Sequence, residues 1–189
     1  SNNSSGKMGF ALAEAALNSG ADVILIAGPV SLESSDKILR IDVKTAAEMY
    51  TESKKFIADA DIFIGCAAVA DYQPKKHSDQ KLKRDQKNNT LKLVPTPDII
   101  KTINLQTKAV IIAFALETEN GNEQAKHKLI DKNVDFIILN YANKMDEGFE
   151  SNTNRVEIFS KSKKYIKLKK DRKDRIAKQI IDFVLDDKK

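Results

Sequence analysis

The sequence predicts an α/β protein with a doubly wound, mostly parallel sheet, and two observations lead to that prediction. Short apolar runs typical of buried strands alternate with segments rich in helix formers from the N-terminus to about residue 140. The 189 residues, 41% of them hydrophobic, are enough to build the core of one domain. We therefore expect a single domain over residues 1–189, with ligands bound beyond the carboxyl ends of the parallel strands.

The predicted helices and strands of the first half alternate along the chain. The helices cover residues 10–17 and 45–57, and the strands cover residues 23–27, 41–43 and 62–72. Ser4 or Ser5 would cap the first helix, and Thr45 with Glu48 would form a capping box at the second. A helix that opens so early in an α/β chain normally follows a strand, so either a further strand lies upstream of residue 1, which we favour, or the sheet starts one strand short.

The apolar run over residues 62–72 is where a ligand site is predicted. It carries no charge before Asp71, so it reads as a strand buried on both faces. Its small residues, from Gly65 to Ala68, would let a ligand approach the backbone closely where the strand ends. An ordinary core strand that ends in a turn is the alternative interpretation. Four strand ends should meet at one edge of the sheet, near Gly28, residues 67–71, Phe114 and Asn140.

The second half begins with a predicted basic flap. Lysine-rich segments over residues 81–84 and 90–94 alternate charged and apolar side chains, with Asn88 and Asn89 near the bend, which indicates a β-hairpin. A solvated hairpin without a function is the simpler interpretation. The segment from Pro95 to Pro97 then blocks any helix before Asp98.

The rest of the chain is predicted to alternate again and to end in a hairpin and a helix. The helices cover residues 99–105, 122–133 and 171–185, and the strands cover residues 109–114, 135–139, 156–159 and 165–168. The middle helix should turn Ala125, Leu129 and Ile130 inward and place Lys128 and Lys132 on one face. The loop over residues 141–155 is long for a compact domain, which suggests a functional role.

The charge and the composition limit the functional classes. The chain carries 32 basic and 27 acidic residues, a net charge of +5, but the lysines are spread widely and aromatic residues make up only 6%. Nucleic-acid binding favours a concentrated basic face with aromatic side chains, and an anionic small molecule explains the mild excess of positive charge equally well, so the composition decides nothing further. With the motifs described below, we expect no nucleic-acid partner. No apolar run approaches the ~20 residues that span a bilayer, and no signal peptide is visible, so no membrane partner is expected.

Cys66 is the single cysteine of the chain. No internal disulfide can form, which fits a reducing, cytoplasmic compartment. Because Cys66 lies inside the apolar run, we expect a buried inert thiol rather than a nucleophile.

The loops at the first two predicted strands argue against a nicotinamide-dependent oxidoreductase. A dinucleotide-binding fold usually has G-x-G-x-x-G in the first loop and an acid at the end of the second strand. Here the first loop reads S-S-G-K-M-G, and the second strand ends in Ala27, Gly28 and Pro29. An NAD(P)-dependent oxidoreductase therefore stays only as an alternative, beside a non-catalytic nucleic-acid-binding module.

Five short motifs follow one another in register across nearly the whole chain. They are S-N-N-S-S-G-K-M-G at residues 1–9, A-A-V-A-D-Y at 67–72, K-L-K-R at 81–84, P-D-I at 97–99 and F-A-L-E-T at 114–118. On these motifs the chain closely resembles the phosphopantothenoylcysteine synthetase family, the synthetase part of a bifunctional coenzyme A biosynthesis protein of bacteria. The resemblance implies a Rossmann-like sheet with a basic flap.

The resemblance also implies a ligase reaction and its reactants. The carboxylate of 4′-phosphopantothenate would attack the α-phosphate of CTP, releasing pyrophosphate and forming an acyl-cytidylate. The amine of L-cysteine would then displace CMP to give 4′-phosphopantothenoylcysteine. Mg²⁺ is expected with the CTP, although eukaryotic relatives tend to use ATP, so the base preference stays open. A homodimer is expected, as is a flavin-dependent decarboxylase domain that is fused or associated.

The same resemblance implies roles for individual residues. Asn2 and Lys81 are expected to be catalytic, Asn2 by contacting the acyl intermediate and Lys81 from a flap that closes over the phosphates. Substrate binding is expected of Asn2, Ser4 and Gly6. Nucleotide binding is expected of Gly65, Cys66, Ala67, Asp71, Lys81, Pro97, Asp98, Ile99, Ile100, Phe114, Lys128 and Lys132.

The chain departs from the family pattern at three places. Arg84 stands in the final lysine position of the flap motif, and Leu116 stands where many relatives have alanine. The family also has a glycine-rich strand and loop upstream of the Asn2 position, which this sequence does not include. No residue here is an evident base for the amine of cysteine, and neither His77 nor His127 is assigned that role.

Overall fold

The computed structural model describes residues 4–76, 90–117, 121–141 and 151–187. The helices are α1 (Lys7–Asn18), α2 (Ala46–Phe56), α3 (Ile99–Asn104), α4 (Gly121–Asp131) and α5 (Lys173–Asp187). The strands are β1 (Ile24–Ala27), β2 (Leu39–Asp42), β3 (Ile62–Gly65), β4 (Tyr72–Pro74), β5 (Leu93–Pro95), β6 (Val110–Glu117), β7 (Phe136–Tyr141), β8 (Thr153–Asn154), β9 (Val156–Ser160), β10 (Tyr165–Lys167) and β11 (Asp171–Arg172).

A five-stranded sheet in the order β10-β9-β7-β6-β3 forms the centre of the protein. Strands β3, β6 and β7 run parallel, as the alternating helix and strand pattern predicted, while β9 and β10 join antiparallel. In the described residues, β1 and β2 pair in parallel as a separate two-stranded sheet. The parallel α/β character of the fold is thus confirmed, but the described parallel strands belong to two separate sheets rather than to one.

Both faces of the central sheet are covered by helices, because alternate residues of the buried strands point to opposite sides. Ile112 and Ile138 face a core shared with α1 and α5, which includes Leu12 and Ile180. The intervening residues of β6 and β7 face a second core shared with α2, α3 and α4. This arrangement leaves the carboxyl ends of β3, β6 and β7 at one edge.

Three local predictions are confirmed. Thr45 and Glu48 form a reciprocal capping box at α2, and α3 begins at Ile99, after the segment that was predicted to block a helix before Asp98. The strands β9 and β10 pair as the predicted terminal hairpin. These features depend on a few neighbouring residues, which is why the sequence alone predicts them.

The prediction for residues 62–72 is wrong in its extent and its burial. Strand β3 ends at Gly65, and its four residues are only partly buried. Strand β3 pairs only with β6 and is an edge strand of the described central sheet. It therefore lacks, among the described residues, the second neighbouring strand that an interior strand has. Residues 67 and 68 are exposed beyond its end.

The predicted flap is only partly covered by the described residues. In the described residues β4 pairs with β5, so Tyr72, predicted as the end of the 62–72 strand, begins a separate strand of the flap instead. The second strand is Leu93–Pro95, shifted from the predicted 90–94. Residues 81–84 and the bend at Asn88 and Asn89 lie outside the described residues.

Several smaller predictions are also wrong. Gly6, with φ of 74°, takes the N-cap position of α1 instead of Ser4 or Ser5, and this N-cap makes no side-chain cap hydrogen bond. Ile130 is 78% exposed, because the buried side of α4 passes through Gly121 and Ala125. Strand β6 continues past Phe114 to Glu117, so Phe114 lies within the strand.

The start of α5 also differs from the prediction. Residues Asp171–Arg172 pair with Thr153–Asn154 as a short antiparallel ribbon, and the helix begins at Lys173. This ribbon places the end of the predicted loop over residues 141–155 beside α5; residues 142–150 of that loop lie outside the described part. No helix in the described ranges is both long and apolar enough to cross a membrane.

Candidate functional site

The end of β3 packs against the first turn of α3. A Cβ atom placed on Gly65 would lie 2.7 Å from Cδ1 and 2.8 Å from Cγ1 of Ile100. Real Cβ atoms do not approach that closely, so the Ile100 side chain occupies space that only glycine leaves open. Two residues predicted to line the nucleotide site, Gly65 and Ile100, are therefore in contact.

Cys66 and Phe114 lie side by side at the level where β3 ends. Gly65 pairs with Ala113 in the parallel register, and the residue after each contributes to the same core cluster. Burial raises the pKa of the Cys66 thiol to about 12, against the smaller opposite effect of the Lys173 ammonium. The thiol is therefore protonated at neutral pH, which supports the predicted inertness, while Cys66 is half-buried rather than buried as predicted.

The loop after β3 is held beside the segment that leads into α3. The backbone N–H of Thr96 donates to the carbonyl oxygen of Asp71 at 2.8 Å. Ala67, Asp71 and Pro97 are exposed, so their outer faces are open to a ligand. Ile99, by contrast, is buried in the core, so its side chain supports the wall from behind.

Asp98 joins the start of α3 to the end of α4. Its side chain accepts the backbone N–H of Lys101 and lies 2.9 Å from Nζ of Lys132. Partial burial opposes ionisation, but the hydrogen bonds from Lys132 and the Lys101 backbone outweigh it and hold the pKa of Asp98 below its usual value. A carboxylate at neutral pH thus fixes the position of the Lys132 ammonium.

Lys128 reaches the end of β6 in a similar way. Its Nζ lies 2.6 Å from Oε1 of Glu117, the last residue of that strand. Lys128 and Lys132 follow one another by one turn, since the backbone N–H of Lys132 donates to the carbonyl of Lys128. The Lys128 ammonium therefore lies at the end of β6 and the Lys132 ammonium at the start of α3, and their role in nucleotide binding stays a prediction.

The segment that was predicted to bind the substrate, which includes Ser4 and Gly6 and is called here the proposed substrate segment, lies at the start of α1. The left-handed backbone at Gly6 favours glycine, and an added Cβ there would lie 3.1 Å from Val30. The hydroxyl of Ser4 accepts a hydrogen bond from the Gly6 backbone N–H at 3.4 Å. Asn2 and Lys81 lie outside the described residues, so their predicted roles stay predictions.

Two lysines that had no predicted role lie beside this segment. Lys7 donates from Nζ to Oδ1 of Asn152 at 2.8 Å, and the backbone N–H of Lys173 donates to the Asn152 carbonyl at 3.0 Å. Lys173 is buried and interacts electrostatically with Lys7 and Cys66. Lys7 belongs to the S-N-N-S-S-G-K-M-G motif at residues 1–9. No sequence signal could have indicated Lys173, because only the tertiary fold brings it close to Lys7.

Acidic side chains form no preformed metal centre in the part of the chain that the structure describes. Among the residues that the structure describes, no three His, Cys, Asp or Glu side chains form a group that could hold a metal ion. The charged groups at the end of β6 and the start of α3 form two ion pairs, in each of which a carboxylate holds an ammonium group. Such an arrangement, with small residues at the strand end, suits an anionic ligand.

Residues 1–187 match the family described as the DNA/pantothenate metabolism flavoprotein C-terminal domain. The chain belongs to this family. It shares 43% identity over 164 residues with the coenzyme A biosynthesis bifunctional protein CoaBC of Vibrio cholerae, covering 85% of this chain and 41% of that protein. The expected resemblance to the phosphopantothenoylcysteine synthetase family is thereby confirmed.

A solved structure and a second relative extend this result. The crystal structure of the C-terminal domain of a CoaBC protein superposes with a TM-score of 0.80 at 34% identity, covering 97% of this chain and 83% of that one. A protein from an unknown prokaryotic organism, named cysteine/cysteine sulfinic acid decarboxylase, is 42% identical over 188 residues, or 98% of this chain and 52% of that protein. The chain thus spans about half or less of the length of both curated relatives.

Proposed function

We propose that the protein is the phosphopantothenate–cysteine ligase of coenzyme A biosynthesis. The observation that carries the proposal is that the family's C-terminal domain matches residues 1–187. The close approach of Gly65 and Ile100 at the end of β3, and the ammonium groups of Lys128 at the end of β6 and of Lys132 at the start of α3, support it. Family membership favours this ligase over the nicotinamide-dependent oxidoreductase and the nucleic-acid-binding module.

In the proposed first step, the carboxylate of 4′-phosphopantothenate attacks the α-phosphate of CTP. A bond forms between a carboxylate oxygen and the α-phosphorus, and the bond to the β-phosphate oxygen breaks, so pyrophosphate leaves. The carboxylate is already ionised at neutral pH and needs no base. Because two anions must approach one another, positive charge at the site is the main requirement, and Lys128 and Lys132 would supply it.

The nucleotide would lie along the wall that begins at β3. Gly65, Cys66 and Ala67 would pass close to it, and the segment from Pro97 to Ile100 would continue the wall. Phe114 and Asp71 would border the same space. The flap residue Lys81 would close over the phosphates and keep water from the acyl-cytidylate, which water would otherwise hydrolyse.

Magnesium and the assembly are parts of the same proposal. We propose that Mg²⁺ arrives on the triphosphate, whose oxygens are ligands of the kind that this ion prefers. CoaBC relatives are named bifunctional and are longer than this chain. This supports the proposal that the ligase is fused to, or associates with, a flavin-dependent decarboxylase domain. A homodimer is the assembly that the family resemblance implies.

The second relative suggests one competing activity. Its name assigns decarboxylation of cysteine or cysteine sulfinic acid to a protein of which this chain covers 52%. We favour the ligase, because the matched family and the first relative are described by pantothenate metabolism and coenzyme A biosynthesis.

The test is pyrophosphate release by the purified protein with CTP and Mg²⁺, with and without 4′-phosphopantothenate and cysteine. Release that depends on phosphopantothenate, and phosphopantothenoylcysteine once cysteine is added, would support the proposal. Pyrophosphate release without the acid, or carbon dioxide from cysteine alone, would contradict it. Parallel reactions with ATP would determine the base preference.

The matched variants for the flap are Lys81→Ala and Lys87→Ala. Loss of one oriented cationic contact to a transition state costs on the order of 10²-fold in rate. We expect that loss for Lys81→Ala and little change for Lys87→Ala. Equal activities of the two variants would remove Lys81 from the mechanism.

A further inference from the structure

Lys173 is largely buried at the start of α5. The residue is only 8% exposed, which is unusual for a lysine. It follows the short ribbon formed by β8 and β11, and its backbone N–H donates to the carbonyl of Asn152. The ribbon and the packing of α5 on α1 therefore fix its position.

Residues from two parts of the proposed site interact with Lys173. One is Lys7, which follows Gly6 at the start of α1. The other is Cys66, the residue after β3, which packs against the same core cluster as Ile176 of α5. Asn152 binds both lysines, through its side chain to Lys7 and through its carbonyl to Lys173. Lys173 is thus close to residues of both the acid-binding and the nucleotide-binding parts.

The surroundings of Lys173 make its protonated form less favourable than that of an ordinary lysine. Burial, and after it the nearby Lys7 ammonium, lower the pKa of Lys173, while Cys66 acts in the opposite direction. A lysine with a lowered pKa can accept a proton at a pH where an ordinary lysine cannot. The thiol of Cys66, by contrast, stays protonated and does not compete as a base.

We propose that Lys173 is the base that deprotonates the attacking amine of cysteine in the second step. This inference rests on the proposed ligase function. It assigns a catalytic residue to the one proton transfer for which the sequence indicated no candidate, and it places that residue on α5, far along the chain from every expected site residue.

In this step the nitrogen of cysteine loses one proton to Lys173 and a second to water. Nζ of Lys173 takes one proton from the α-ammonium of cysteine and leaves a neutral amine. The amine nitrogen forms a bond to the acyl carbon of the acyl-cytidylate, and the bond from that carbon to the phosphate oxygen breaks, so its electron pair leaves with CMP. The second proton of the nitrogen passes to water as the amide forms, and Lys173 later returns its proton to solvent.

The test separates the two half-reactions in three variants of the full chain. Lys173→Met removes the base, Lys173→Arg keeps the positive charge but cannot accept a proton at neutral pH, and Lys169→Met is the control at an exposed lysine nearby. Exchange of labelled pyrophosphate into CTP, in the presence of phosphopantothenate, reports the first half-reaction. Formation of phosphopantothenoylcysteine from cysteine reports the second.

We expect both Lys173 variants to retain pyrophosphate exchange and to lose coupling to cysteine by on the order of 10²-fold or more, the usual contribution of a general base. Lys169→Met should retain both activities. Hydroxylamine, which is largely neutral at pH 7, should still trap the acyl-cytidylate as a hydroxamate in both Lys173 variants, because it needs no proton removed before attack.

The contrary results are equally distinct. Coupling retained by Lys173→Arg would show that positive charge suffices and would overturn the proposal. Loss of pyrophosphate exchange in both variants, or failure of hydroxylamine to trap the intermediate, would also overturn it in favour of a structural or anion-binding role. If the unaltered protein shows neither half-reaction, the proposed function itself fails.

Discussion

At the scale of single residues, the contact between Gly65 and Ile100 is the tightest constraint on the candidate site. The backbone of Gly65 has no left-handed conformation that would exclude other residues, so space alone requires glycine here. The neighbouring atoms are Cδ1 and Cγ1 of Ile100, and Cγ1 cannot move away without a shift of the whole side chain. A change at Gly65 therefore reaches the start of α3.

The residue prediction is that Gly65→Ala displaces Ile100 and weakens nucleotide binding. Overpacking of this kind costs about 1–3 kcal/mol of stability. We expect a lower unfolding midpoint and a raised KM for CTP, both measured on the same preparation. Gly65→Ala combined with Ile100→Val should recover part of each loss.

Gly28→Ala is the matched control, because an added Cβ at Gly28 has no atom within 4 Å. That variant should keep the stability and the KM of the unaltered protein. A Gly65→Ala protein that behaves like Gly28→Ala would contradict the packing argument.

At the scale of elements, the terminal hairpin β9–β10 contains a buried acid. Glu157 is 1% exposed, and its carboxylate accepts hydrogen bonds from the hydroxyls of Tyr165 at 2.7 Å and Tyr141 at 3.2 Å. Nζ of Lys167 lies 2.9 Å away. Burial opposes ionisation, but Lys167 and the two hydroxyls outweigh it and lower the pKa of Glu157. The hydrogen bond to Glu157 in turn raises the pKa of Tyr165 to about 12.

This element predicts an acid-dependent stability. Because the folded pKa of Glu157 lies below the unfolded value, near 4.5, its contribution is complete above that value and is lost as the pH falls through the folded pKa. Glu157→Gln should lose about 1–3 kcal/mol at pH 7, from weakened hydrogen bonds in a buried position. Urea unfolding between pH 7 and pH 3 measures both effects.

Glu33→Gln, at an exposed carboxyl in a loop, is the control for general charge effects. The stability difference between Glu157→Gln and the unaltered protein should narrow as the pH falls. A difference that stays constant down to pH 3 would mean that Glu157 does not titrate with a lowered pKa.

At the scale of the whole molecule, the packing of α1 on α5 connects the core to the candidate site. Ile180 is fully buried in the cluster that also contains Leu12 and Ile112. The same two helices begin with Lys7 and Lys173, beside the proposed substrate segment. Stability in this core and geometry at that end of the sheet therefore depend on the same contacts.

Ile180→Ala should lose about 2–5 kcal/mol, because it removes buried methyl groups and leaves a cavity. Leu185→Ala, at a 40% exposed position of the same helix, should change stability much less. Denaturant unfolding of the two variants measures the difference. Equal losses would contradict the assignment of Ile180 to the core that holds α1 and α5 together.

The sequence predicted those parts of the fold that depend on short stretches of chain. The capping box at Thr45 and the hairpin β9–β10 each involve residues close in sequence, so their patterns can be recognised directly. The burial of α4 was predicted less well, because Ile130 lies at the edge of an apolar stripe and only tertiary packing determines which side is covered.

For the candidate site, the motifs indicated the segments but not their contacts. The approach of Ile100 to Gly65 depends on how α3 lies over β3, which no local pattern encodes. Lys7 and Asn152 are 145 residues apart, and Lys173 meets them only through the ribbon β8–β11. Residues with this kind of long-range placement carry no sequence signal of their own.

An anionic ligand that binds Lys128 and Lys132 would have to displace a carboxylate from each of these lysines. Lys128 and Lys132 are held by Glu117 and Asp98, in pairs that are each partly exposed. Exposed pairs of this kind contribute about 0–1 kcal/mol, so a ligand can open them at little cost. A singly charged anion gains almost nothing by replacing a carboxylate, whereas a polyphosphate brings several charges to the same two lysines. The carboxylates would therefore act as internal competitors that exclude weak anions.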